Sequence, residues 1–372
     1  MTLCRLCLSD NIEKIFSFPS FPVFIGCTDN KKENDVSYDF EIWYCHDCDV
    51  GQQISIPPFE ELYKEQRCFG FGNIWKNHYE KYAEFIKKNS DPSEIGLEVG
   101  VGNAVVFKKL NGFFTKLSGI DAIDHPDYEN YDIKVGLFSE KLFEYENFDV
   151  IYSSHFIEHL PDPVKFLKTS RQLLKDNGRC IIACPNIVKS FENLHFNAFT
   201  TDHLNYFSKN SLEKIAVNLG FELIDSYQYL DHGMYLVFRK TEKQINSIIT
   251  KQFKNNFDTY KKIIFNYVEK AKKELLKEES VFVFGAHGLT VTFLKILNNS
   301  KLENKIKFVL DNEKTKHHRR LSGTNLICES PTIIASEKNP IVLLYMGAYE
   351  KEISQQLREI NPNCKIISSR DN

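Results

Sequence analysis

Two pairs of cysteines stand near the start of the chain. Cys4 and Cys7 are separated by two residues, and so are Cys45 and Cys48. Four thiolates with this spacing complete the tetrahedral shell of a zinc ion. The two pairs lie further apart than in a short zinc ribbon, so we expect the segment between them to form its own loop or hairpin. Because a closed four-thiolate shell has no open position for a substrate, we predict a structural zinc that folds a segment with a small core.

A glycine-containing turn occupies residues 97–110, LEVGVGNAVVFKKL, between a predicted strand and a predicted helix. Gly100 and Gly102 allow a tight turn and close approach of a ligand to the backbone. The third glycine, which dinucleotide-binding folds use beside a pyrophosphate, is missing, so a ligand without phosphates fits better. Glu98 would repel phosphate but attract the aminocarboxypropyl sulfonium of S-adenosylmethionine (SAM). The next predicted strand ends at Asp121, where a carboxylate accepts hydrogen bonds from ribose hydroxyls.

Further ligand contacts are expected along the same edge of the predicted sheet. The segment 135–138 is placed to cover the adenine, and the buried strand 148–154 ends at the ligand edge. This order of elements resembles that of class I methyltransferases. We therefore predict a SAM site made of Glu98, Gly100, Gly102, Asn103, Asp121, Phe138, Ser153 and His155.

A cluster of polar and aromatic residues at 202–208, DHLNYFS, provides the candidate catalytic group. A histidine titrates near neutral pH and is the usual proton acceptor there. Methyl transfer is an in-line displacement, so the protein mainly has to position the nucleophile and remove its proton. His203 is the candidate base, and Tyr206 is a further candidate catalytic residue of the same cluster. The rival histidines are His155, His159 and His195.

The elements that must position these residues form three blocks. Paired cysteines dominate the first block, which we assign to a zinc-binding domain over 1–65. Helical patterns then alternate with short β-rich runs, which predicts a methyltransferase domain over 66–240 with a Rossmann-like sheet. A helical linker and a second alternating pattern follow over 241–372. The predicted fold class is α/β, with a class I methyltransferase core, an amino-terminal zinc-binding domain and a smaller Rossmann-like carboxyl-terminal domain.

Composition restricts the classes of partner. The chain is 42% hydrophobic, and 47 Lys and Arg face 50 Asp and Glu, for a formal net charge of -3. A basic stripe for nucleic acid is absent, and so are a secretory signal and an uninterrupted membrane span. We therefore expect a cytoplasmic protein with neither nucleic-acid nor membrane partners, and leave its oligomeric state open between monomer and homodimer. A nucleic-acid-binding zinc module is the non-enzymatic alternative, which the slightly acidic balance opposes.

The chain as a whole resembles the three-domain, zinc-containing C-methyltransferases that act on nucleotide-linked deoxyketosugars. The resemblance is carried by CRLC…YCHDC, the SAM block, TTDHLNYFS, YLDHGMYLVF, GAHGLTVTFL, VLDNEKTKHHRRLSGTNLICESPTII and VLLYMGAYEKEI. It implies that His203 removes the proton next to the keto group of a nucleotide-linked sugar. It also implies that His232 lies near the active site, and that His287, Lys316 and Arg319 lie towards the nucleotide end of the substrate.

Several residues depart from the family pattern. Thr200 and Thr201 replace a tyrosine and a histidine of the family, and Met234 and Tyr235 replace Gly-Ser. These positions are expected to touch the sugar, so the departures bear on the acceptor and leave fold and cofactor in place. O-methylation of a sugar or nucleotide-sugar hydroxyl is the alternative function, since a hydroxyl acceptor needs only a base and positioning.

Overall fold

The computed structural model describes residues 2–62, 73–143, 147–196, 198–230, 233–243, 250–277, 281–345 and 349–368. Across these ranges the strands form sheets of four, seven and five strands and one two-stranded ladder.

The amino-terminal segment is a small antiparallel sheet. Its elements are β1 (Ile12–Pro22), β2 (Cys27–Thr28), β3 (Ser37–Cys45), β4 (Val50–Gln53) and α1 (Phe59–Leu62). β1 pairs with β3, and β3 pairs with β4 through a tight turn in which Cys45 lies opposite Val50. The second cysteine pair therefore lies in the turn that connects two paired strands, so the sheet and the cysteine cluster form together.

The central segment alternates strands and helices. Its elements are α2 (Asn73–Lys88), β5 (Ile95–Val99), α3 (Val105–Leu110), β6 (Lys116–Asp121), β7 (Ile133–Val135), β8 (Phe148–Ser154), α4 (Pro163–Leu173), β9 (Leu174–Pro185), α5 (Ile187–Glu192), β10 (Asn205–Tyr206), α6 (Lys209–Asn218), β11 (Phe221–Tyr229) and β12 (Gly233–Lys240). The strand predicted at 148–154 is confirmed with these bounds, and the strand predicted to end at Asp121 does end there. β7, α5 and β10 were not predicted, because each is too short for its periodicity to be visible.

The seven-stranded sheet has the order β7-β6-β5-β8-β9-β12-β11. Five strands of this sheet run parallel to one another: β5, β6, β7, β8 and β9. β12 runs antiparallel to both β9 and β11. From β5 the chain first builds outwards to β6 and β7, and then returns to add β8 on the other side. The crevice between the carboxyl ends of β5 and β8 is therefore the topological switch point, where open α/β sheets bind their ligands.

The carboxyl-terminal segment is a second, smaller parallel sheet. Its elements are α7 (Gln252–Lys277), β13 (Val281–Phe284), α8 (Gly288–Leu297), α9 (Ser300–Glu303), β14 (Ile306–Leu310), β15 (Arg320–Leu321), β16 (Cys328–Glu329), β17 (Ile341–Leu344), α10 (Glu350–Ile360) and β18 (Lys365–Ser368). Its strand order is β16-β14-β13-β17-β18. The predicted Rossmann-like arrangement of this segment is confirmed. Among the described helices of the whole chain, none is both long and apolar enough to cross a membrane.

The amino-terminal sheet is joined to both other sheets. β10, from the central segment, is the fourth strand of the amino-terminal sheet and pairs with β4. β2 pairs with β15 of the carboxyl-terminal segment. Beside this ladder Arg320 binds both carboxylate oxygens of Asp35, at 2.6 and 2.7 Å. The amino-terminal segment thus pairs with strands of both other segments.

Candidate active site

The turn after β5 has a backbone conformation that favours glycine at two positions. Gly100 has a φ of +77° and Gly102 a φ of +57°, in the left-handed region that a side chain disfavours. A Cβ at Gly100 would lie 2.4 Å from Cδ2 of Phe156, so the ring leaves no room for one. Asn103 is half-buried in the same turn. The tight turn predicted at the two glycines is therefore present.

Asp121 lies at the carboxyl end of β6, next to this turn. Its Oδ2 accepts a hydrogen bond from the Gly102 amide at 2.8 Å, and its Oδ1 accepts one from Ile123 at 2.9 Å. Two backbone amides thus fix the carboxylate, and each oxygen keeps a lone pair for a further donor. This arrangement suits a carboxylate that accepts hydrogen bonds from ribose hydroxyls.

Glu98 is 1% exposed near the end of β5. Tyr152 donates a hydrogen bond to its Oε2 at 3.2 Å. Burial raises the pKa of Glu98 well above its ordinary value. A bound ammonium group would favour the ionised form of this carboxyl. The aminocarboxypropyl group of SAM would supply such an ammonium group.

Ser153 and Phe138 lie on the same side of the sheet. Ser153 is fully buried at the end of β8, and its Oγ has no hydrogen-bond partner within the described ranges. A buried hydroxyl without a partner indicates a group that a ligand completes. Phe138 is half-buried and packs against Phe166, with ring centroids 5.8 Å apart.

Three histidines and one glutamate form a cluster beyond β8. His155 has a φ of +48° and its Nδ1 lies 3.1 Å from Glu158 Oε1. His159 lies 4.0 Å from the same carboxylate through its Nε2, and its ring centroid is 4.8 Å from that of His203. The structure thus brings the predicted base together with two of its three rivals, whereas His195 lies on the segment after α5 and contacts Tyr260 of α7 through its carbonyl.

The electrostatics of this cluster favour a neutral His203 beside an ionised Glu158. Burial lowers the pKa of His203, although Asp202 opposes the shift. Burial opposes ionisation of Glu158, but the hydrogen bond from His155 and the charges of the neighbouring imidazoles lower its pKa overall. The nitrogen lone pair of His203 is therefore available near neutral pH, as a base requires.

The loop that carries His203 is hydrogen-bonded to the amino-terminal segment. Gln53 is fully buried at the end of β4, and its side-chain amide nitrogen lies within hydrogen-bonding distance of the carbonyl oxygens of Thr200, Thr201 and His203. The backbone amide of Gln53 donates to the Leu204 carbonyl at 2.9 Å. Losing the side-chain amide would remove the donor to the His203 carbonyl, at a cost of roughly 1–3 kcal/mol, whereas the Thr200 carbonyl would keep the hydrogen bond from the Tyr206 hydroxyl.

The hydroxyl of Tyr206 is used inside the same loop. Tyr206 is 3% exposed, and its hydroxyl donates to the Thr200 carbonyl at 2.7 Å. Burial raises its pKa well above the ordinary value, so the phenol stays protonated. In this arrangement the hydroxyl of Tyr206 closes the loop, and the catalytic role predicted for Tyr206 stays a prediction.

The four predicted zinc ligands lie together. Their sulfur atoms are all within 4.8 Å of one another, with 3.6 Å between Cys4 and Cys48 and between Cys7 and Cys45. A tetrahedral zinc with Zn–S bonds of about 2.3 Å needs sulfur atoms about 3.8 Å apart, so the donor set fits this ion. The thiols also share hydrogen bonds: one from Cys48 lowers the pKa of Cys7 to about 7, whereas the hydrogen bond with Cys4 raises the pKa of Cys45 to about 12.

The predicted substrate residues of the carboxyl-terminal segment are only partly brought together. His287 caps α8, and burial lowers its pKa to about 4. Lys316 binds Asp311, which also accepts from the Ala286 amide, so His287 and Lys316 border one carboxylate at the end of β14. Arg319 instead contacts Asp29 of the amino-terminal segment at 3.2 Å. His232, predicted near the active site, lies outside the described residues.

Sequence reasoning missed Glu158 and Gln53. Glu158 directly precedes His159, one of the rival histidines. Its position just beyond a strand that ends at the ligand edge is the sequence signal that indicates a functional acidic residue. Gln53 gives no such signal, because an isolated glutamine in a short strand is an ordinary residue and its partners lie 147 to 150 positions away.

Two family models match the chain. Residues 74–226 match the model described as a methyltransferase domain, and residues 238–367 match the model described as a C-methyltransferase C-terminal domain. The central domain is a methyltransferase domain. With the strand order of the seven-stranded sheet, these matches confirm the class I SAM-dependent methyltransferase fold. The chain thus has the domain composition of a SAM-dependent methyltransferase with a C-methyltransferase C-terminal domain.

Individual proteins resemble parts of the chain. The ubiquinone biosynthesis O-methyltransferase of Histophilus somni (strain 2336) is 28% identical over 97 residues, covering 22% of this chain and 41% of that protein. The match therefore spans less than half of the length of this curated relative. The 1,6-didemethyltoxoflavin-N1-methyltransferase of Burkholderia thailandensis has a TM-score of 0.38 and 15% identity, over 46% of this chain and 82% of its own. The N-methyltransferase NodS of Bradyrhizobium japonicum WM9, solved with S-adenosyl-L-homocysteine, has a TM-score of 0.36 and 13% identity, over 46% and 89%.

Zinc content tests the cysteine cluster. We expect one equivalent of zinc in the purified protein by elemental analysis, and we expect Cys45→Ser to lose the metal and to lower the thermal stability, because Cys45 is a fully buried ligand. Cys364→Ser is the matched control, since Cys364 is a buried thiol outside the cluster. Zinc-free wild-type protein, or equal zinc in both variants, would contradict the assignment.

SAM affinity tests Asp121. Asp121→Asn keeps the shape of the side chain but removes the charge, so we expect SAM to bind roughly 10- to 100-fold more weakly, corresponding to the loss of a hydrogen bond to a charged group. Asp124→Asn, at an exposed position three residues further on, is the control. Isothermal titration calorimetry measures both, and wild-type affinity in Asp121→Asn would refute the role of this carboxylate.

Proposed function

We propose that the protein transfers the methyl group of SAM to a carbon atom of a nucleotide-linked ketosugar, with His203 as the general base. The observation that carries this proposal is the position of His203 in the imidazole cluster just beyond the carboxyl end of β8. The loop of His203 is attached there by two hydrogen bonds, from Leu204 to the Glu158 carbonyl at 2.8 Å and between His159 and the Asp202 carbonyl at 2.9 Å. The match to a C-methyltransferase C-terminal domain supports transfer to carbon.

The chemistry requires a proton acceptor and little else from the side chains. His203 accepts the proton from the carbon next to the keto group, and the electron pair of the broken C–H bond forms the enolate. The enolate carbon then forms the new carbon–carbon bond as the methyl–sulfur bond breaks and its electron pair remains on sulfur. Positioning the acceptor in line with the sulfonium is the main contribution of the protein.

An enolate oxygen needs a hydrogen-bond donor, and Thr200 is placed to supply it. Its Oγ1 is buried and has no partner within the described ranges. Thr200 occupies the position of the tyrosine that the resembling family carries, three residues before His203. We therefore assign stabilisation of the oxyanion to Thr200 and positioning of the loop to Tyr206, whose hydroxyl is already used.

The remaining domains support the central one. We propose the division 1–65, 66–240 and 241–372, with a structural zinc in the first domain. In the last domain, His287 and Lys316 lie beside the ends of β13 and β14, and this edge of a parallel sheet is where an α/β domain binds its ligand. We assign this edge to the nucleotide end of the sugar substrate.

O-methylation of a sugar hydroxyl is the second candidate. It is favoured by Thr200 and Thr201, which replace the aromatic and imidazole side chains of the resembling family. A hydroxyl acceptor needs no enolate, so His203 alone could serve as base. The same fold and the same cofactor residues apply to both reactions.

The bond formed by the methyl group separates the two reactions. SAM with a ¹³C-labelled methyl group is incubated with candidate nucleotide-linked ketosugars, and the product is read by carbon–proton correlation NMR. We expect the label on carbon. A label on oxygen would replace the proposed C-methylation by O-methylation of a hydroxyl. A failure to label any sugar would exclude both reactions.

Turnover in a His203 variant tests the base. Loss of a general base lowers turnover by roughly 10²- to 10⁴-fold, so we expect His203→Asn to fall in this range while it still binds SAM. His318→Asn is the control, because the side chain of His318 is 83% exposed in the carboxyl-terminal segment. If His203→Asn turns over like His318→Asn, another group is the base.

A further inference from the structure

Three side chains beyond β8 present metal-binding atoms to one point. One ligand atom each from Glu158, His159 and His203 lies within 4.8 Å of the others. One carboxylate and two imidazoles are the donor set of open zinc sites, whereas Mg²⁺ and Ca²⁺ prefer oxygen donors alone. This cluster is separate from the four cysteines, which the first domain provides.

The carboxylate of Glu158 is incomplete without a ligand. Glu158 is 1% exposed, and its Oε1 is bound by His155 at 3.1 Å. Its Oε2 is buried and has no hydrogen-bond partner within the described ranges. A buried carboxylate oxygen without a donor is costly, so a group that satisfies this atom is expected at this point.

The tautomer of His159 is a second argument for a cation at this point. Its Nδ1 lies 2.9 Å from the Asp202 carbonyl, which only accepts, so Nδ1 carries the proton. In the neutral ring Nε2 is then a lone-pair acceptor, and it lies 4.0 Å from Oε1 of the Glu158 carboxylate, which also only accepts. Two acceptors face each other across this gap, and a cation between them would satisfy both.

We infer that Glu158, His159 and His203 form a second metal site, for a divalent transition-metal ion such as Zn²⁺, Co²⁺ or Ni²⁺. The Asp202 carbonyl and His155 act as the outer contacts, since each holds a ligand in the orientation that coordination needs. Bonds of about 2.0–2.2 Å require the donors to draw together slightly from their present positions. Three protein ligands leave coordination positions open.

Occupancy of this site has a consequence for catalysis, and this part of the inference rests on the proposed function. Coordination uses the lone pair with which His203 would accept a proton. Ion binding and proton removal therefore exclude each other, and the ion inhibits turnover in proportion to its occupancy. Binding itself does not depend on which acceptor the enzyme methylates.

The experiment uses the protein with its cysteine site already loaded with zinc. Co²⁺ is titrated without substrate, and binding is followed by calorimetry and by visible absorption. We expect one further equivalent, without the sulfur-to-cobalt charge-transfer band that thiolate ligation would give. His159→Ala and Glu158→Gln should each weaken this binding at least 10-fold, whereas His318→Asn should not change it.

Each outcome decides one part of the inference. No second equivalent, or equal binding in wild type, His159→Ala and Glu158→Gln, would overturn the site. His159→Ala keeps the test valid if Glu158→Gln fails to fold, because His159 is half-buried and Glu158 is fully buried. Co²⁺ bound without loss of turnover would overturn the inhibition. If Co²⁺ does not bind but His203→Asn still abolishes turnover, the metal site fails and the proposed function stands.

Discussion

The arrangement of the candidate active site depends on a buried amide in the amino-terminal segment. Gln53 reaches the carbonyl oxygens of the loop that carries His203, and Tyr38 donates to its Oε1 at 2.9 Å, which fixes the orientation of the amide. The two-residue strand β10 pairs with β4 directly beside it. Phe199 of the same loop packs against Phe191 and Phe257, and these hydrogen bonds add the polar contacts that orient the backbone of His203 relative to the end of β8.

The turn of the second cysteine pair organises two neighbours at once. Asp49 follows Cys48 with a φ of +55°, and its carboxylate accepts from Tyr44 and from the amide of Phe253 at the start of α7. Gly51 lies against the ring of Phe253, where a Cβ would approach to 2.7 Å. A metal bound in this turn would therefore stabilise more than the amino-terminal segment. It would also fix the start of the helix that leads to the carboxyl-terminal sheet.

Sequence patterns predicted the parts of the site whose chemistry is local. Gly100 and Asp121 follow from the strand–turn–helix pattern, because the backbone conformation and the position at a strand end are decided by neighbours in sequence. Gln53 and β10 could not be predicted, since their roles depend on partners about 150 positions apart. The hydrogen bond of Tyr206 could not be predicted either. The sequence places a phenol close to the histidine, but it does not show that the hydroxyl already binds the Thr200 carbonyl.

The central claim is that the amino-terminal segment positions the loop of His203 through Gln53. The most direct measurement compares amide hydrogen exchange in residues 198–208 between wild type, Gln53→Leu and Gln52→Leu, two substitutions at adjacent, fully buried glutamines of β4. We predict faster exchange in this segment and lower turnover in Gln53→Leu than in Gln52→Leu, with SAM affinity unchanged in both. Equal exchange and equal turnover in the two variants would contradict the claim, and would mean that the loop holds its position without this amide.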